Sequence, residues 1–306
     1  MKRFSWPYTA SRMRTAACAV WLCLSLAGAP AMAAPALPLH AALLKIDTAW
    51  ITQPHAQHLA ALRQAYQQGT AAWPLETGCS AVPVERRDDL FRATALLAFY
   101  QPEEALLERM RCLHAALPPQ ALQEAEHHRP LRGALIELRH FEEANRLRAR
   151  WAMPVAELPV IRGVPATAGM EVLRLAEPGA VERTALPAAA GWQVIALVHP
   201  YCGFSQRAMA AITSDPVHAW LLPYLHLVVP PGRDWPEPAM RAWNAQHPAL
   251  PMQPAMPGAA MARFDLRRTP VFHLLRNGEL IATATGWPGN GEELAALRAR
   301  ITAGAD

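Results

Sequence analysis

Cys202 and Ser205 are separated by two residues in the string Pro200-Tyr201-Cys202-Gly203-Phe204-Ser205, and the chain changes character there. Before it, Trp192 to Val198 is mostly apolar and rich in β-branched residues, the pattern of a strand buried on both faces. After it, Gln206 to Ile212 reads as a helical stretch. A cysteine at a helix start meets unpaired backbone N–H groups and the positive end of the helix dipole, and both favour thiolate over thiol. The chemistry on offer is nucleophilic attack by sulfur. Four residues of Cys-x-x-Ser are a common match, so the motif alone is weak. Tyr201 and Phe204 flank the sulfur and are read as a hydrophobic lip for clients. Ser205 reads either as a hydrogen-bond donor to the thiolate or as an inert replacement. His199 reads either as an imidazolium that helps hold a thiolate or as a loop histidine of no consequence.

The elements that must position this sulfur lie further along. Phe264 to Arg268 reads as a short helix end, followed by a Thr269-Pro270 step and a strand to Arg276. Asn277-Gly278 is a hairpin-turn signal, and Glu279 to Ile281 begins a return strand. Gly286 and an amphipathic helix over 292–301 close the chain. Met170–Leu175 and Val181–Leu186, separated by Glu177-Pro178-Gly179, read as a hairpin. Leu225–Val229 reads as a strand and 237–245 as a helix. The Pro- and Met-rich stretch 248–261 reads as an irregular loop.

Strand, Cys-x-x-Ser, helix and then a late Thr-Pro, strand, Asn-Gly, strand, Gly, helix is an order that resembles the thioredoxin superfamily over residues 168–306. The resemblance implies an α/β thioredoxin-like domain with a central mixed sheet flanked by helices. It implies a cis Thr269–Pro270 bond beside Cys202, where the backbone would pair with an extended substrate, and a thiol–disulfide oxidoreductase activity. The sequence departs from the family where Ser205 replaces the resolving cysteine. A dithiol enzyme leaves a mixed disulfide by internal attack from its second thiol, so Cys202 would need an external resolver. The string Pro200-Tyr201-Cys202-Gly203-Phe204-Ser205 also resembles the Cys-Gly-Phe-Ser site of monothiol glutaredoxins, which use glutathione and can hold a [2Fe–2S] cluster. That match covers six residues, and Gly286-Trp287 stands where a Gly-Gly glutathione turn would be. No cofactor is expected.

Residues 34–152 read as an all-α domain of about five short helices. Leu43, Leu44, Ile46 and Trp50, then Leu59, Leu62 and Tyr66, recur at three- and four-residue spacing. So do Leu90, Ala93, Leu96 and Leu97, then Leu106, Leu107, Met110 and Leu113, then Leu131, Leu135, Leu138, Phe141 and Leu147. Pro54, Pro74, Pro102, Pro118 and Pro130 fall between the runs. Residues 153–167 carry three prolines and read as a linker. Leu135 to Ala144 has the character of a helical hairpin, with no second copy at a fixed period.

Residues 1–33 read as a signal peptide. Lys2, Arg3, Arg12 and Arg14 precede an apolar run from Ala16 to Ala27, and Ala31-Met32-Ala33 offers a cleavage pattern. The expectation is a periplasmic protein that meets the membrane only through its export signal. Removal of that segment leaves Cys79, Cys112 and Cys202, an odd number that implies one pair and one free thiol in an oxidising compartment. Cys79 and Cys112 are the favoured pair, both lying in the helical domain, and two unpaired buried thiols are the alternative.

The formal charge is +4, but four of the 29 Lys and Arg lie in residues 1–33, where there is no acid, so 25 cations face 25 anions in the remainder. That balance excludes a basic nucleic-acid footprint for the body. At 52% hydrophobic and 18% charged the chain is not intrinsically disordered. His55 and His58 share a helical face but lack a third ligand nearby, and no metal is expected. Two functions remain. One is thiol–disulfide exchange through Cys202 with a protein or a low-molecular-weight thiol or disulfide. The other is a redox-inactive binding or scaffold module of the bacterial envelope. The sequence carries no prediction of oligomeric state.

Overall fold

The computed structural model describes residues 38–304 apart from 51, 76, 124, 168, 187–189 and 290. The expected signal peptide lies outside the described residues. No described helix is long and apolar enough to cross a membrane.

Six helices open the described chain: α1 (Leu39–Trp50), α2 (His55–Gly69), α3 (Val84–Tyr100), α4 (Glu104–Ala116), α5 (Ala125–Glu137) and α6 (Phe141–Arg150). Their three- and four-residue apolar spacing works as read. Leu43, Leu62, Phe91, Leu106, Leu107, Met110, Leu113, Leu135 and Ile136 are buried in one core. Leu44 and Trp50, read as part of that face, are instead exposed. The Asp89 carboxylate of α3 accepts from the first amides of α1, Leu39 N–H at 2.8 Å and His40 N–H at 3.0 Å. It thereby satisfies donors that a helix start leaves unpaired.

Pro130 does not separate helices. It sits inside α5, early enough that the carbonyl deprived of its N–H partner belongs to exposed Glu126, where water can serve. The α5–α6 corner is a helical hairpin closed by His140 N–H to Leu135 O at 2.8 Å and Arg139 N–H to Ile136 O at 3.0 Å. That paired pattern places Arg139 at φ +64°, a position usually held by glycine.

Arg139 is kept there by what its guanidinium does. Nε and Nη2 both donate to Ala255 O, at 3.1 and 3.0 Å, and the group lies over the rings of Phe141 and Trp235. Burial pulls it down to about 10, so it stays charged at neutral pH. Arg139→Ala is expected to cost about 2–4 kcal/mol, because it orphans a buried carbonyl and opens a cavity. Urea unfolding of the variant checks this, and a loss under about 1 kcal/mol would show that the tie is dispensable.

Two sheets follow. Within 153–167, Val160–Arg162 forms β1, which pairs in parallel with β3 (Ala180–Leu186); β2 (Met170–Leu175) pairs antiparallel with β3. The second sheet is built from β4 (Trp192–Leu197), β5 (Leu225–Val229), β6 (Met252–Pro254), β7 (Val271–Arg276) and β8 (Glu279–Thr285), in the order β6-β5-β4-β7-β8. Strands β4, β5 and β6 run parallel, joined by crossovers that carry α7 (Gly203–Ser214) and α8 (Glu237–Gln246). Strands β7 and β8 are antiparallel.

Central β4 is buried on both faces. Val194 and Ala196 pack with Ala208, Met209 and Ile212 of α7 and with Leu297 and Ile301 of the last helix, while Ile195 and Leu197 pack against Val172, Phe264, Val271 and Leu275. Stretch 248–261, expected to be irregular, supplies edge strand β6 and the first residues of α9 (Ala259–Ala262). Its prolines hide the strand in the sequence but are tolerated at a sheet edge. Asn277 (φ +53°) and Gly278 (φ +83°) make the tight β7–β8 turn, and α10 (Ala295–Ala303) closes the chain.

Three buried titratable groups give this fold a pH profile. Burial and the neighbouring His128, His127 and Arg150 hold His114 down to about 4, and burial holds His273 down to about 4. The unfolded chain therefore binds protons that these folded imidazoles refuse, and stability is lost as pH falls from 6.5 towards 4. Glu137 acts in the opposite sense: burial pushes its carboxyl up to about 7, against the pull of Arg233 and Arg139. Its contribution is full below 4.5 and is lost as pH rises through 7. Between pH 4.5 and 6.5 the two ranges overlap and two imidazoles outweigh one carboxyl, so the urea midpoint is expected to rise with pH across that range. Glu137→Gln should steepen the rise and His273→Asn should make it shallower; a wild-type midpoint that is flat or falls from pH 4.5 to 6.5 would refute the assignment.

Candidate active site

The route from strand to cysteine is short. The ladder of β4 continues one residue past its end, with Val198 N–H donating to Val228 O at 2.9 Å. Cys202 N–H then donates to His199 O at 3.0 Å, and Cys202 O accepts the first helical bond, from Gln206 N–H at 2.9 Å. Cys202 is thus the N-cap of α7, with extended backbone (φ −80°, ψ 116°). Gln206 Nε2 reaches back to Pro200 O at 2.7 Å and pins the loop.

Ser205 is buried, 1% exposed, one turn into the helix. Its Oγ accepts from His199 N–H at 3.2 Å, which leaves the hydroxyl proton free to be donated to sulfur. Thr269 approaches from the other side: Cys202 Sγ donates to Thr269 O at 3.2 Å. The Thr269–Pro270 bond is cis, and Pro270 O accepts from Gly286 N–H at 2.9 Å.

These contacts set the acidity of the thiol. Burial alone pushes it up. It is outweighed by hydrogen bonds from the Thr269 side chain, the Ser205 amide and hydroxyl and the Phe204 amide, so the thiol lies below its ordinary value. The Thr269 carbonyl works the other way, since it accepts S–H and can only repel a thiolate. An ionised sulfur would therefore rest on the Thr269 side chain and the helix-start donors. Among the described residues Cys202 is the free cysteine, and it is partly exposed.

Cys202, Ser205, Thr269 and Pro270 thus converge, and Tyr201 and Phe204 stand exposed on the rim at 60% and 52%. His199 points elsewhere. Its Nδ1 accepts from Tyr201 N–H at 3.3 Å, and Nε2 lies 3.9 Å from Asp234. Beside it, a cleft of about 270 Å³ is lined by His199, Pro200, Gln206, Met209, Trp243 and Met252.

Cys79 and Cys112 are joined to each other in the helical layer, apart from this site. Trp287 is buried against Phe272 and His218 rather than presented at a surface turn. His58 pairs with Asp47 at 3.0 Å, and among the described residues no group of three or more His, Cys, Asp and Glu is arranged to hold a metal.

Sequence reasoning missed Arg207, whose guanidinium lies 4.7 Å from the Phe204 ring. The signal was present, because residues three apart on a helix share a face. It also missed Asp234, for which proximity to His199 depends on where the loop after β5 lands; no local signal announces that.

No family model matches the chain, and no curated protein matches it. A search of solved structures returns the crystal structure of a thioredoxin-like protein from Bacteroides caccae, 16% identical, spanning 88% of this chain and 95% of that one at a TM-score of 0.30. The strand order β6-β5-β4-β7-β8, the helix that follows central β4 and the Thr-Pro step before β7 make the part from β4 to α10 a thioredoxin-like fold, preceded by a helical region.

Proposed function

We propose that the chain carries out thiol–disulfide exchange through Cys202 as its one nucleophile. The observation that carries this reading is the hydrogen-bonded, partly exposed thiol at the start of α7, held below its ordinary value. The thiolate attacks one sulfur of a client disulfide; a Cys202–client disulfide forms, the client S–S bond breaks, and the other sulfur leaves as thiolate. A second thiolate, from outside, then attacks the client sulfur of that mixed disulfide and returns Cys202 as thiolate. Ser205 cannot perform that step, so release waits on an external thiol. An exported, periplasmic setting suits the reading, and the Cys79–Cys112 pair supports an oxidising compartment.

The test is alkylation of the folded protein against pH. A rate that follows a titration below about 8 supports exchange chemistry. A sluggish thiol with an ordinary midpoint overturns it in favour of a redox-inactive binding or scaffold module. The contact that favours this second reading is the S–H bond from Cys202 to the Thr269 carbonyl, which holds the thiol form.

A further inference from the structure

We infer that the Cys202 site selects disulfides set in acidic polypeptide segments, with Arg207 as the residue that reads the charge; this rests on the exchange reading above. Arg207 lies one turn along the cysteine's own helix. A Cβ placed on Gly203 would sit 3.5 Å from its Nη1, so the guanidinium borders the residue next to the sulfur. The Phe204 ring holds it there, and no carboxylate among the described residues lies within ion-pair reach of it. A cation stacked on an exposed aromatic is positioned but uncompensated.

Arg268 immediately precedes Thr269 in the chain and its side chain is 69% exposed, with Nε 3.8 Å from Asp265; Arg267 also pairs with Asp265, at 3.1 Å, but lines a separate cleft with His55 and Tyr100. Asp234 lies beside His199. The positive charge beside the sulfur is thus the uncompensated Arg207 guanidinium together with the partial charge of the α7 N-terminus. Tyr201 and Phe204, both exposed, offer contact area for residues on either side of a client cysteine, which a free small thiol would leave unused. The occupant that complements these surfaces is a polypeptide with Asp or Glu beside its cysteine.

The experiment uses the full chain and three heptapeptides with a central cysteine flanked by Glu, Gln or Lys, each activated as the 2-thiopyridyl disulfide. Attack by Cys202 releases pyridine-2-thione, which is followed by absorbance, and the ratios of rates are read. The acidic peptide is expected to react faster than the basic one by about tenfold at low ionic strength, with the neutral peptide between them. About 0.5 M salt should flatten the series. Arg207→Gln should shrink the acidic-to-basic ratio to about threefold, and Phe204→Ala, which frees the guanidinium, should shrink it in the same direction.

Equal rates for all three peptides, or an unchanged ratio in Arg207→Gln, would overturn the inference while leaving exchange chemistry standing. So would the 2-thiopyridyl disulfide of N-acetylcysteine matching the acidic peptide, since a small free acid would then be the better description of the substrate. If no peptide releases more thione than the Cys202→Ser control, the exchange reading falls and this inference falls with it.

Discussion

Ser205→Ala is expected to slow the alkylation of Cys202 at neutral pH by about tenfold and to move its titration upward. Ser205 is buried, its Oγ occupied as an acceptor by His199 N–H at 3.2 Å, so the proton it carries has one productive direction, towards the sulfur. Loss of that donor removes one of the hydrogen bonds that outweigh the burial of the thiol. Ser205→Cys is expected to behave differently. A thiol in this place can attack Cys202 when the latter is in a mixed disulfide, so adducts that persist on the wild-type protein should turn over without added thiol. Cys202→Ser should abolish adduct formation. The pH dependence of alkylation reads the first variant, and mass spectrometry of protein recovered from cells, with and without reductant, reads the other two. Adducts of equal lifetime on the wild-type and Ser205→Cys proteins would show that Ser205 is not positioned as a resolver. Unchanged alkylation in Ser205→Ala would show that its hydroxyl does not serve the thiolate.

How far the sequence reveals this site depends on the range of each interaction. The strand into Cys202 is local: six residues from Trp192 to Leu197 are apolar enough to require cover on both faces, and the turn at Pro200 with a helix behind it follows at once. Asn277-Gly278 is equally local, since both residues take positive φ and few others do so readily. Edge strand β6 was hidden because its pairing with β5 lies in the register of Leu227 with Met252, 25 residues apart, and because Pro254 argues against a strand anywhere but an edge. Arg139 shows the same limit from the energetic side. Nothing around it in the chain explains an arginine in a left-handed conformation; the reason is Ala255 O, more than a hundred residues away. At the site itself, Cys202 and the Thr-Pro step were legible as types and spacing. The two meanings of Thr269, a side chain that favours thiolate and a carbonyl that favours thiol, exist only once the two loops meet.

Cys79→Ser with Cys112→Ser is expected to destabilise the protein by about 3–4 kcal/mol, a large share of the margin of a domain this size. The bond closes a separation of 33 residues, spanning the short turn before α3, all of α3 and most of α4. Without it the unfolded chain regains the freedom to separate those ends, which on the chain-entropy account is the main effect. The folded state also loses a local anchor. Cys79 is 5% exposed at the start of a single helical turn that packs against α4, and its amide donates to Cys112 Sγ at 3.3 Å. Two serines in this place bring hydroxyls that must find partners in an apolar surrounding; Cys79→Ala with Cys112→Ala separates that penalty from the loss of the cross-link. Both double variants should show lower urea midpoints, with the serine pair lower than the alanine pair. The effect should be confined to stability. Arg109, whose Nη2 donates to Trp73 O at 2.6 Å, and the α3–α4 packing belong to the helical layer. The α7 start that sets the Cys202 thiol is built from residues 199–206 and 269 alone. Under conditions where the double variant is fully folded, its Cys202 alkylation profile should therefore superpose on that of the wild type. A shift in that profile would show that the helical layer reaches the sulfur, through the contacts of Arg233 with Pro130 O and of Trp235 with Phe141 that lie between them.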